Sequence, residues 1–150
     1  MASAECTEVV DLSIGAFFKA VTDYENYPKF VSGMKSVSVE GEGQNKVVKF
    51  DLEMMKRFEY SVDMRESFDE AAGHAEISWT LKDSGLFKVN NGKWSLKALG
   101  PKKTQVTYSL DVEFSFGVPG FILNKLVKKN LPANIKSFAS WASLKEKGDK

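Results

Sequence analysis

Residues 29–100 contain no proline, although Pro28, Pro101, Pro119 and Pro132 flank that stretch on both sides. Proline cannot donate to a strand ladder, so a long proline-free segment suits a sheet of paired strands. The same segment, and the run after it, alternates with a period of two. Val48, Phe50, Leu52 and Met54 interleave with Val47, Lys49, Asp51 and Glu53. Phe58, Tyr60, Val62 and Met64 do so with Glu59, Ser61, Asp63 and Arg65, and Ala75, Ile77, Trp79 and Leu81 with His74, Glu76, Ser78 and Thr80. The run Val106, Tyr108, Leu110, Val112, Phe114 and Phe116 is the longest. Such alternation predicts antiparallel strands with one wet and one covered face.

Turn signals at Gly41–Asn45, Asp69–Gly73, Asp83–Gly85 and Gly100–Lys103 separate the runs. Within Phe87–Ala98 the apolar phase changes from odd to even positions. An extra residue near Asn91-Gly92 restores it, which predicts a β-bulge there and a strongly curved sheet. Ahead of the sheet, Cys6 falls in a first strand, Ser13 is placed to cap a short helix, and Asp23 to cap a second turn through Val31. After the sheet, Pro119-Gly120 opens a helix reaching about Lys145, with Ile122, Leu126, Val127, Leu131, Ile135, Phe138 and Ala142 along one stripe and a kink expected at Pro132. The reading is a single α+β domain over residues 1–150: seven curved antiparallel strands around a long C-terminal helix, with two short helices after the first strand. One helix cannot fill the concave side of so large a sheet, so a cavity is expected between them.

Composition removes several function classes. Twenty-one basic and 20 acidic residues give a net charge of +1, with no global attraction for nucleic acid. One cysteine and one histidine, Cys6 and His74, supply neither a disulfide framework nor a two-histidine metal site. His74 falls on the wet face, so no Ser-His-Asp or Cys-His set can be assembled and no catalytic residue, metal or cofactor is assigned. No apolar run reaches the roughly 18 residues of a membrane span, and no leader pattern opens the chain. The expected location is cytoplasmic. From Pro119 onward, seven lysines face only Glu146 and Asp149. Lys125, Lys128 and Lys129 are thus candidates for weak contact with an anionic membrane surface or a ribosome. The absence of arginine there argues against nucleic acid, and the chain is expected to be a monomer or weak dimer.

Four segments in this order resemble the polyketide cyclase/dehydrase and coenzyme-Q-binding branch of the START-like superfamily: Thr22–Phe30, Ile77–Leu81, Phe87–Trp94 and Val118–Phe121. The resemblance implies a helix-grip fold. It also implies carriage of lipids, quinones or polyketides, with ring-closing enzymes and a ribosome-association toxin as other branches. The expected function is non-covalent binding of a hydrophobic molecule for transport, sequestration or presentation; the alternatives are a cyclase/aromatase and a docking protein. Expected ligand contacts are Tyr27, Phe50, Tyr60, Met64, Trp79, Asn91, Trp94, Tyr108, Leu110, Val127 and Leu131, with Tyr27 and the Leu131-Pro132 region guarding access.

Overall fold

A computed structural model describes residues 2–31, 33–53, 57–84, 87–115, 117 and 120–148. Strand β1 (Ala2–Val10) leads into helix α1 (Ile14–Val21) and a 3₁₀ segment, Tyr24–Lys29. Strands β2 (Met34–Glu40), β3 (Asn45–Glu53), β4 (Arg57–Asp69), β5 (His74–Ser84), β6 (Phe87–Gly100) and β7 (Lys103–Phe114) follow, and helix α2 (Gly120–Gly148) ends the chain. All neighbours in the sheet are antiparallel, in the order β1-β7-β6-β5-β4-β3-β2. Consecutive strands pair as hairpins, and β1 closes onto β7. There the buried Thr104 hydroxyl donates to the Leu12 carbonyl at 2.8 Å.

The alternation settles which face is covered. Val48, Val62, Ala75, Ile77, Leu96 and Val106 are fully buried on the concave side, and Leu131, Ile135, Phe138 and Ala142 of α2 pack into the same core. These helical positions recur every three or four residues, so one stripe of α2 supplies them. Helix α2 continues through Pro132. Ser13 caps α1 as expected, its Oγ accepting from Ala16 N–H at 3.1 Å.

Two local expectations are corrected. Against β7 the interruption in β6 is not at Asn91-Gly92 but earlier, skipping Lys88 between Phe87–Phe114 and Val89–Glu113 and regular through Asn91–Asp111 and Gly92–Leu110, whereas pairing with β5 ends at Trp79–Gly92. Apolar spacing records that a phase change occurs but not which residue is extra. The earlier position makes Asn90, not Asn91, the inward asparagine. Further register shifts at Met34/Ser36, at Ser61/Val62 and at Ala98/Gly100 distribute the bending. The second correction concerns Asp23, whose side chain makes no cap bond to the 3₁₀ backbone. Its carboxylate instead accepts from Asn26 Nδ2 at 2.8 and 2.9 Å and from Trp141 Nε1 at 3.1 Å.

Candidate functional site

The concave face is lined by aromatic rings brought together from separate strands. Phe50 (β3) lies 5.1 Å from Tyr60 (β4), and Tyr60 lies 5.1 Å from Phe87 (β6), which stacks on Phe114 (β7) at 5.0 Å. Trp94 and Tyr108 stack in parallel, with centroids 4.1 Å apart and planes 2° from coincident. Trp79 completes the wall 6.1 Å from Tyr108. Period-two alternation places each ring inward, and antiparallel pairing places Trp94 directly beside Tyr108.

Coverage of this face is uneven. Around Phe17, Val48, Val62, Ile77 and Leu96 it is sealed by α1 and α2. Toward the other end of the strands, Tyr60, Trp79, Leu81 and Leu110 remain only half-buried. That end carries the β3–β4 and β5–β6 connections and the transition from β7 to α2. Tyr27 is buried where the 3₁₀ segment meets the sheet and α2. Its hydroxyl donates to the Val21 carbonyl, and its ring packs against Phe30, Phe50 and Phe138.

The polar groups on this wall form a small network. Trp79 Nε1 donates to Asn90 Oδ1 at 3.2 Å, and Asn90 is buried. The same asparagine side chain lies near the Tyr60 phenol, and Asn134 of α2 near that of Tyr108. Burial pushes both phenols up, Tyr108 to about 12, while the two amide contacts oppose the shift. Asn91, expected on the inward phase, falls on the other one. Its Oδ1 accepts from Leu81 N–H at 3.2 Å, just beyond the last described β5–β6 pair, Trp79–Gly92. It satisfies a backbone donor where the ladder opens.

Met64 and Leu131 are buried within the core, and Leu110 stands opposite Gly92. The side chains of Val127 and Lys125, and all of Met54, lie outside the described residues. Lys128 and Lys129 are exposed. A groove of about 520 Å³ runs outside the core, between the end of β1 and the second half of α2, lined in part by Val9, Leu12, Lys136, Ala139 and Leu144. It contains none of the expected ligand-binding residues. Burial, then Glu8, pushes the Cys6 thiol up, so Cys6 stays a packing residue.

The sequence reading passed over an ion pair on the inward face. Lys46, at the start of β3, contacts Glu66, near the end of β4, at 3.0 Å. Tyr24 of the 3₁₀ segment donates its hydroxyl to the same carboxylate at 2.5 Å. Both charged positions obey the alternation, Lys46 with Val48 and Glu66 with Met64, so extending each run by one step would have found them. Among the described residues, no group of three or more His, Cys, Asp or Glu side chains is placed to hold a metal. Nor is any helix long and apolar enough to cross a membrane.

Residues 10–139 match the sequence model of the family described as polyketide cyclase/dehydrase and lipid transport. The chain belongs to that family. None of the curated proteins matches the sequence. Solved structures show the same fold at low identity. A START superfamily protein from Mycobacterium smegmatis is 20% identical with a TM-score of 0.82, covering 96% of this chain and 99% of its own. The Zhui aromatase/cyclase from Streptomyces sp. R1128 is 16% identical with a TM-score of 0.77, covering 94% and 93%. Human STARD10 is 16% identical with a TM-score of 0.80, covering 95% of this chain and 63% of its own. The architecture is the START-like helix-grip fold.

Proposed function

We propose that the chain binds a hydrophobic small molecule against the concave face of its sheet and carries or presents it without chemical change. The carrying observation is the uneven coverage of that face. Tyr60, Trp79, Leu81 and Leu110 point inward yet keep accessible surface, while Phe50, Met64, Ile77, Trp94 and Tyr108 beside them are buried. A ligand covering these side chains would gain about 25 cal/mol per Å² of apolar surface removed from water. The aromatic walls and the few fixed polar groups have the character of a small-molecule site. Carriage is favoured over catalysis because, at the described inward positions of β3–β7, tyrosines aside, the ionisable groups are Lys46 and Glu66, engaged with each other.

Native mass spectrometry of freshly purified protein, with organic extraction, tests this. The expected result is a co-purifying lipid, quinone or polyketide-like mass. It should be lost in Leu110→Trp, which adds bulk where the face is uncovered. Turnover of a cyclisable polyketide, abolished by Tyr60→Phe or Tyr108→Phe, would replace this reading with the enzymatic one.

A second reading adds a surface from which the ligand is exchanged. Phe121, in the first turn of α2, is 76% exposed, and Lys128 and Lys129 are exposed two turns later. An aromatic side chain beside lysines suits an anionic bilayer. Salt-sensitive co-sedimentation with phosphatidylglycerol vesicles, lost in Phe121→Ser and in Lys128→Glu/Lys129→Glu, is the expected result. Co-sedimentation with ribosomes but not vesicles would assign the surface to ribosomal RNA.

A further inference from the structure

Trp79 is held in one orientation, and that orientation decides what it can offer a ligand. A Cβ on Gly92 would lie 2.2 Å from Cζ2 of the indole and 2.6 Å from both Cε2 and Cη2, the two atoms bonded to Cζ2. Equal and only slightly longer distances to both neighbours put that point on the ring normal through Cζ2. Approach to the ring edge would leave both neighbours much farther away. The indole therefore lies face-on over Gly92, flat against β6. Gly92 pairs with Trp79 on one side and Leu110 on the other, and residues directly opposite share a face of the sheet, so its missing side chain belongs to the concave side. One π face is thus covered by the strand and the other is turned away from it. The indole N–H is taken by Asn90 Oδ1 at 3.2 Å. Trp79 is nonetheless only half-buried, so part of it stays open to solvent.

We propose that the side of the Trp79 indole turned away from β6 is a stacking platform, and that the ligand brings a flat conjugated ring system to lie on it, parallel to the sheet. This rests on the reading that the concave face is the binding site. The in-plane donor is already engaged, so the π face is what the indole has left to present. A saturated chain or ring laid there gains only the apolar area it covers, whereas an aromatic partner in offset-stacked contact gains more than its area burial. The platform is also ordered in advance. Glycine beneath and asparagine at the edge fix the ring, so little side-chain freedom is lost on binding. Its frame is apolar: Met64 and Leu110 flank the Trp79–Gly92 pair in one cross-strand row, and the Tyr108 ring stands beside the indole at 47°, with centroids 6.1 Å apart.

The compounds 2-naphthol and decahydro-2-naphthol match in outline and hydroxyl group but not in π system. Calorimetric titration of both into the wild-type protein and into Trp79→Leu gives an affinity ratio for each. Comparing the two ratios cancels the differences in solubility and hydroxyl acidity between the compounds. The naphthol-to-decahydronaphthol ratio is expected to fall about three- to tenfold in Trp79→Leu, which keeps an apolar side chain but no π face. In the wild-type protein, bound naphthol should shift the Trp79 Hζ3 and Hη2 resonances upfield by its ring current, a readout that needs no variant. An unchanged ratio would overturn the inference and leave the binding site standing, as would unshifted Trp79 resonances in the fully formed naphthol complex. Binding of neither compound to the wild-type protein would remove both readings together.

Discussion

Trp79 rests against Gly92 so closely that a Cβ on the glycine would lie 2.2 Å from Cζ2 of the indole. Gly92 is therefore required for space, where β6 passes beneath a ring from β5 that its neighbour Asn90 holds by hydrogen bond at 3.2 Å. Gly92→Ala should displace the indole and cost about 1–3 kcal/mol, the usual penalty of overpacking. Urea denaturation and tryptophan emission report the two effects together. Adding Trp79→Leu should recover part of the loss, because the clashing ring is gone. Independent, additive penalties would show that the close approach is not the cause.

Alkaline pH offers a test of how dry this wall is. All four tyrosines have raised pKa values, led in each case by burial, and Tyr108 reaches about 12. The folded chain thus keeps phenolic protons that the unfolded chain loses near pH 10. Their stabilising contribution is complete below pH 10 and falls as pH rises toward the folded values. Each tyrosine still protonated only in the fold lowers stability by about 1.4 kcal/mol per pH unit. Tyrosinate absorbance should stay flat through pH 10 and rise together with loss of the far-UV circular dichroism signal. A separate rise centred on pH 10 with the fold intact would mean hydrated rings.

How far the sequence carried this structure follows from the kind of information each feature needs. The alternation of β3, β4, β5 and β7 is local, and the rings of Phe50, Tyr60, Trp79 and Tyr108 that it turned inward lie on the concave face. The helical stripe Leu131, Ile135, Phe138 and Ala142 was legible for the same reason. The bulge was not, since one added residue anywhere between Phe87 and Trp94 gives the same apolar pattern. That uncertainty alone exchanged the roles of Asn90 and Asn91. Asp23 failed differently: its partner Trp141 is 118 residues away, and helix-start preferences say nothing of such distances.

Tyr24, Glu66 and Lys46 make one unit, with the carboxylate accepting from the hydroxyl at 2.5 Å and from the ammonium at 3.0 and 3.1 Å. The unit ties the 3₁₀ segment to two strands. Tyr24→Phe should cost about 1.5–3 kcal/mol, the range for a hydrogen bond to a charged group. Glu66→Gln weakens both contacts, so the double variant should lose less than the sum of the singles, by about 1 kcal/mol or more in a cycle measured by denaturation. Strict additivity would mean the hydroxyl and the carboxylate do not act on each other.

The far half of α2 is held by Trp141 in two separable ways. Its ring stacks on Phe30 at 4.8 Å and 12°, with Lys145 Nζ 5.0 Å above it, and its N–H reaches the Asp23 carboxylate at 3.1 Å. Trp141→Phe keeps a ring on Phe30 and gives up the N–H, at an expected cost of about 1–2 kcal/mol. Trp141→Ala gives up both and should cost about 2–4 kcal/mol, somewhat under the figure for a fully buried aromatic because this ring is only half-buried. The bond to Asp23 anchors the loop after α1 as well as the helix. Amide hydrogen exchange should therefore accelerate in both Asp23–Asn26 and Ala139–Leu144 when either Trp141→Phe or Asp23→Ala is made. Acceleration confined to the helix would show that the stack alone secures it and that the indole N–H contributes nothing to the loop.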